Sequence, residues 1–437
     1  LTSSIRPFPE DSSRPSVREI LFAILLFGSV GAIAWAVRGT NGWGGIDGTI
    51  VPGMAWGLLW YYVCARKGID ARGVALWLGL GISIGGELGY GQYTAWIRGM
   101  FYVGDEIVDI APWVGYAWFI IAGIGWGSTG AIVLGWTLSE KRSFNIWIAR
   151  ILFPAAVGYL GWQIVQKAPG FFFPNRHLGI YDGELDKHLE RTVYTNTQNF
   201  VVACWWLGAV ILAAKQKDKT TLVIGLLIGG GFGLGFMQAA IWCLGYGFAP
   251  QSIDWWKMWE LNAGFDLGAL YVIALYWWIR NRSSTQDSLP TPLQDWLRNV
   301  SLAFCAFLLF FVLFWGASSR GGVVLELYDE NKVDQYQWPP GRIALFLPFA
   351  AIVIGLTLRR LWKITRLAMD GERWTPDPVQ LSDRVTDTIT IIALVGAISI
   401  WPSEIGILYA LFLCLALFGL NRLNRGLGVK PFSVSDR

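Results

Sequence analysis

Two stretches of this chain gather side chains that could hold a ligand. "GGELGYGQYTAWIRG" runs from Gly85 to Gly99 and "GFGLGFMQAAIWCLG" from Gly231 to Gly245, with a glutamine and a tryptophan at matching places. On a helix turning 100° per residue, Gly85, Gly89, Gln92, Trp96 and Gly99 fall in one stripe, as do Gly231, Gly235, Gln238, Trp242 and Gly245. The stripe admits two uses. Small residues four apart let helix backbones approach closely in lipid, each glutamine then tying its helix to a neighbour. Alternatively, Gln92 and Gln238 face a shared cavity and bind a small polar solute. Glu87 stands in the first copy where the second has Gly233. A carboxylate far inside a membrane span is costly unless protonated, paired or wetted, which makes Glu87 a candidate for ligand or proton binding.

Asp266 is the second such carboxylate, in "WELNAGFDLG", one helical turn from Asn262 and near Glu260. This group is expected at the outer mouth of a cavity. A third group lies in "RGTNGWGGIDG", where glycines surround Arg38, Trp43 and Asp47. Such a segment can fold back and present backbone N–H groups, but it lacks the G-K-[ST] ending of a phosphate loop. Residues 168–198 form the longest polar connection and hold both histidines, His177 and His188, with Asp182, Glu184 and Asp186 between them. Those residue types suit a divalent metal or an acid–base pair. Their spacing matches neither a zinc pattern nor a calcium loop, and neither histidine lies in a span where it could ligate a haem. No catalytic residue, metal or cofactor is assigned.

The elements that must position these groups follow from composition. Of 437 residues, 54% are apolar and 15% charged, and the mean hydropathy is +0.43. That leaves too little polar surface for a water-soluble chain of this length. Apolar runs of roughly the 20 helical residues needed to cross a bilayer recur about twelve times between Ile20 and Leu420, including Val74 to Ile97, Asn199 to Ala214 and Trp259 to Ile279. The expected fold is an all-α polytopic integral membrane protein with about twelve transmembrane helices.

The paired motif organises that count. Weaker echoes, "VGAIAW" at Val30 against "VGYLGW" at Val157, extend the likeness beyond the motif. Residues 18–138 and 144–280 are therefore read as two parallel four-helix repeats. The second carries the outer loop 168–198. A linker over 281–299 leads to a C-terminal four-helix bundle over 300–420, with tails at 1–17 and 421–437.

Most of the 35 basic residues fall in alternate connections, among them Arg66, Lys67, Lys141, Arg142, Arg359, Arg360 and Lys363. By the positive-inside rule both termini are expected in the cytoplasm, in a plasma or bacterial inner membrane. The net charge of +4 is what such loops produce and is no argument for nucleic acid. Arg150, near the start of its span, is expected to snorkel to the cytoplasmic side. All five cysteines lie in apolar spans and read as small core residues. The 26 tryptophans exceed the needs of an interfacial belt, and some could stack a sugar or hold a cation.

These features favour a transporter of a small polar solute, with proton coupling through a buried carboxylate. Its partners would be the lipid bilayer and the solute, and the chain could form a homo-oligomer. Two alternatives stay open. One is a membrane-embedded enzyme using the 168–198 loop on a lipid-linked or extracellular substrate; the other is a structural subunit of a larger membrane complex.

Overall fold

A computed structural model describes residues 15–38, 46–249, 253–282, 291–329, 338–371, 378–399 and 405–425. In chain order its helices are α1 (Val17–Arg38), α2 (Ile46–Arg66), α3 (Arg72–Ile84), the single turn α4 (Tyr93–Trp96), α5 (Pro112–Leu138), α6 (Phe144–Lys167), α7 (Lys187–Lys215) and α8 (Lys219–Ile224). There follow α9 (Gly231–Ala239), α10 (Trp255–Asn281), α11 (Pro292–Val324), α12 (Pro340–Met369), α13 (Pro378–Ser399) and α14 (Ile405–Arg425). Among the described residues, eight spans are long and apolar enough to cross a membrane, with Lys219–Gly247 counting as one of them. The chain is thus an all-α membrane protein in its main architecture. A small antiparallel hairpin is added, strand β1 (Met100–Val103) pairing with β2 (Glu106–Asp109). Gly104, at φ +55°, takes the first turn position between them, where a residue without Cβ suits the strand twist.

The chain forms two compact units, 1–79 with 271–437, and 80–270. In the first, α1 packs on α2, α13 and α14, and α11 packs on α2 and α12. Its centre is aromatic: Trp35 meets Trp56 at 6.2 Å and Trp56 meets Tyr271 at 5.2 Å, all buried. Gly419 of α14 lies so close to α1 that a Cβ there would come 2.7 Å from the Phe22 carbonyl. At one end of the unit, Asp70 receives hydrogen bonds from Arg72 at 2.6 Å and Arg298 at 2.8 Å, and Arg72 also reaches Asp295 at 2.7 Å. This network fastens the α2–α3 turn to α11. Arg38, which the sequence places in the glycine-rich "RGTNGWGGIDG" group, closes α1 as a buried side chain with its guanidinium 4.2 Å over Trp35. Trp43 and the side chain of Asp47 lie outside the described residues.

In the second unit α5 is central, packing on α4, α7, α8 and α9. The contact with the α8–α9 rod is close: a Cβ on Gly127 would approach the Ile228 carbonyl to 2.9 Å, and one on Gly123 the Phe232 carbonyl to 2.7 Å. Small residues on α5 therefore serve the role expected of the glycine stripe. Outward faces of α6 carry exposed Ile151, Leu152, Tyr159 and Leu160, as a lipid-facing helix requires.

Two expectations change here. The run Val74 to Ile97 is not one helix. It is α3, a 3-10 turn over Gly85–Glu87, a non-helical stretch and then α4, with Gly91 at φ +45°. The second motif remains helical throughout, as a π-helical stretch Gly225–Gly230, α9 and a 3-10 stretch Ala240–Gly247. A stripe drawn at 100° per residue therefore describes α9 and not the first copy. The other change concerns Asn199 to Ala214, whose helix starts three turns earlier, at Lys187, so the end of the expected outer loop is helical. Asp186 begins it by accepting from the His188 and Leu189 backbones, a side-chain N-cap.

Candidate functional site

Four of the expected site residues meet in one place. Gln238, at the end of α9, and Asn262, on α10, exchange amide hydrogen bonds at 3.4 and 3.2 Å. The Trp242 indole N–H donates to Asn262 Oδ1 at 3.0 Å, and Asn262 Nδ2 donates to Asp266 Oδ2 at 2.8 Å. One α10 amide thus joins an amide, an indole and a carboxylate. Asn262 and Asp266, four apart, lie one above the other on α10, so one helical face supplies both.

Glycines make the room. A Cβ on Gly235 would sit 3.3 Å from Asp266 Cβ. One on Gly245 would run into the Trp255 ring. Trp255 in turn stacks on Trp242, centroids 6.4 Å apart and planes 20° apart. Gln238 is exposed and Trp242 is 38% exposed. The site therefore offers outward an amide pair, a carboxylate edge and the face of a two-tryptophan stack. Those groups can donate to and accept from a polyhydroxylated or amide-bearing solute and present an aromatic surface to its apolar side.

Glu260 does not join it. Its side chain is buried, bonded to Lys257 Nζ at 2.6 Å and to the Trp256 indole at 3.1 Å. Two residues from Asn262 on a helix, it points to a different face. Trp259 is likewise buried in the unit's core, between Phe119, Phe236 and Tyr90.

Gln92 has a different environment from its counterpart. It is buried, its Nε2 donates to the Tyr102 carbonyl at 3.0 Å, to Thr192 Oγ1 at 3.2 Å and to the His188 carbonyl at 3.3 Å, and its Oε1 accepts from Tyr102 N at 2.7 Å. Its hydrogen-bonding capacity is spent fastening β1 and the start of α7, the tying role. Trp96 is fully buried, stacked on Phe101 at 5.6 Å. The side chain of Glu87 lies outside the described residues. Its counterpart Gly233 has a packing reason: a Cβ there would lie 2.8 Å from Ile124 and 3.0 Å from the Ile120 carbonyl. The difference between the copies thus marks a close contact at Gly233.

Sequence reasoning missed a polar face on α7. Thr192, Thr195, Asn196 and Asn199 are all buried. Asn199 Nδ2 donates to the Gly89 carbonyl at 2.8 Å and to the Tyr93 hydroxyl at 3.1 Å, while that hydroxyl donates to Asn196 Oδ1 at 2.7 Å. A backbone that leaves the helix inside a membrane protein exposes polar groups that must be paired within the protein. Asn199 of α7 pairs one of them, the Gly89 carbonyl. The i, i+3, i+4, i+7 spacing of the α7 polar residues in "TVYTNTQN" was the available signal.

The His188 ring lies 5.7 Å from that of Tyr102, and Asp182 faces Arg176 at 3.9 Å while Asp186 caps α7. Among the described residues, no three His, Cys, Asp or Glu side chains converge as a metal site. Arg150 does not snorkel: it is buried, 2.8 Å from Asp218 and 2.9 Å from Ser139 Oγ. No family model, characterised relative or solved structure matches the chain.

Proposed function

We propose that this protein is a multi-pass membrane transporter of a small polar solute, bound at Gln238, Trp242, Asn262 and Asp266. The observation that carries the reading is the single network those four side chains form on a partly exposed face of apolar helices. Polar and ionisable groups inside a membrane are expensive and mark solute or ion pathways. Hydroxyls of the solute would replace the weaker amide–amide bonds, of which one spans 3.4 Å, while its carbon skeleton stacks on Trp242. Asp266 is the group proposed to couple uptake to protons. With the Lys and Arg residues in alternate connections, both termini would face the cytoplasm.

The test is flux in liposomes containing the purified protein, with a panel of radiolabelled sugars, polyols and amides under an imposed pH gradient. At least one solute should enter well above protein-free vesicles. Asn262→Ala and Trp242→Ala should cut that flux about tenfold, the effect of losing roughly 1.4 kcal/mol of binding. Asp266→Asn should leave flux down a solute gradient but remove its dependence on the pH gradient. Absence of flux for every class would count against transport.

Exposure of Gln238 and Trp242 also favours a second reading, contact with a helix of a partner protein. On that reading Trp242→Ala would shift the size of the assembly extracted in mild detergent and change no flux.

A further inference from the structure

The first compact unit contains a cavity of about 780 Å³ between α2, α11, α12 and α13. Most of its wall is hydrocarbon and aromatic, with Leu58, Phe307, Phe310, Phe314, Ile352 and Leu356 prominent. From Leu302 to Phe314 the α11 wall climbs roughly 18 Å at about 1.5 Å per residue. That exceeds half of a hydrocarbon core of about 30 Å, the depth one leaflet's acyl chains occupy.

One end is different. The last turns of α12 and the first of α13 place Arg359, Arg360, Lys363 and Arg384 around the cavity, with Asp387 as the one carboxylate in its lining. Arg384 lies close enough to Arg360 for the two charges to repel. Among the described residues, Arg359, Lys363, Arg384 and Asp387 form no ion pair. Arg359, Lys363 and Arg384, three cations facing one carboxylate at the mouth of an apolar slot, call for an anion with a hydrocarbon tail.

We propose that this cavity is a binding site for a membrane lipid with an anionic phosphate headgroup, its acyl chain lying along Phe307, Phe310 and Phe314 and its phosphate among Arg359, Lys363 and Arg384. The Lys and Arg distribution assigns this end to the cytoplasmic side, where anionic lipids meet basic pockets between helices. The site is independent of the solute site proposed above.

Full-length protein in neutral detergent is incubated with equal amounts of phosphatidylglycerol and phosphatidylcholine bearing identical acyl chains, and retained lipid is counted by native mass spectrometry. Wild type should retain the anionic lipid about tenfold over the neutral one, a modest expectation for several basic side chains near one headgroup. Millimolar inorganic phosphate should not displace it, because the free anion lacks the tail. Lys363→Gln/Arg384→Gln should bring the two lipids to parity in protein that still elutes as a single species. Ala306→Trp, which fills the apolar wall, should lower retention of both. Equal retention of the two lipids by wild type overturns the proposal without reference to any variant, and displacement by phosphate alone reduces the site to one for free anions.

Discussion

The guanidinium of Arg150 on α6 lies 2.8 Å from the carboxylate of Asp218 at the start of α8, and both side chains are shut off from solvent, at 1% and 3% exposure. Asp218 does more than pair a charge. Its carboxylate also accepts from the Thr221 backbone at 3.2 Å and the Thr221 hydroxyl at 2.6 Å, so one group neutralises α6 and caps α8. Removing one partner would leave the other buried and uncompensated. Asp218→Asn is expected to destabilise the protein by about 3–5 kcal/mol, read as a fall in melting temperature in detergent. Arg150→Met with Asp218→Asn should recover part of that loss. A single variant that melts with wild type would mean that the pair contributes nothing.

A second prediction concerns the broken segment. Asn199→Leu keeps bulk but leaves the Gly89 carbonyl and the Tyr93 hydroxyl each short of a donor. The Tyr93 hydroxyl keeps its bond to Asn196, so the cost falls mainly on the Gly89 carbonyl, at about 1–3 kcal/mol for a buried group left unpaired. Hydrogen exchange should accelerate around Gly89 to Tyr93, while α11 to α14 stay as protected as in wild type.

Glycines along the α8–α9 rod should differ by neighbour. Gly233→Ala puts a methyl 2.8 Å from Ile124 and should destabilise by about 1–3 kcal/mol, the usual range for overpacking. Gly230→Ala meets nothing closer than Trp206 at 3.9 Å and should be neutral or slightly stabilising, since alanine is the better helix former. Equal effects at the two positions would show that the α5 contact is looser than described.

At the α2–α3 turn, burial would raise the pKa of Asp70, but Arg72 and Arg298 outweigh it and hold the carboxyl at about 2. A carboxylate depressed below its unfolded value, about 3.9, contributes stability that is complete above that value and is lost as pH falls through the folded one. Discounted for its partly exposed position, Asp70→Asn should cost about 1 kcal/mol at neutral pH. The gap between wild type and variant should close between about pH 4 and pH 2. A gap that is constant with pH would place the effect in packing instead.

Hydropathy and glycine spacing were enough to indicate a helical membrane protein and to nominate all four members of the Gln238–Trp242–Asn262–Asp266 network. They succeeded there because the chain stays helical through those positions, with Trp242 on the 3-10 stretch that continues α9 and with Asn262 and Asp266 four apart on α10. The same arithmetic failed at Gln92, where the backbone leaves the helix and the side chain bonds the hairpin instead. The hydropathy profile does carry a trace of the difference, since the first copy has Glu87 and Arg98 where the second has Gly233 and Leu244. Arg150 was misjudged for a related reason. Distance from a span's end predicts snorkelling only when no buried carboxylate is nearer, and Asp218 is far away in sequence. Tertiary pairing overrode local position in each case.

The bond from Asn199 to the Gly89 carbonyl also limits how this chain can change over generations. Straightening the break while keeping Asn199 would strand its amide donor, and losing Asn199 while keeping the break would strand the Gly89 carbonyl. Each single step is penalised and the double step is not, which is reciprocal sign epistasis. In any set of descendants, residue types at 85–92 and at 199 should therefore change together or not at all, and a homologue with a continuous third helix should carry an aliphatic side chain where this one has Asn199.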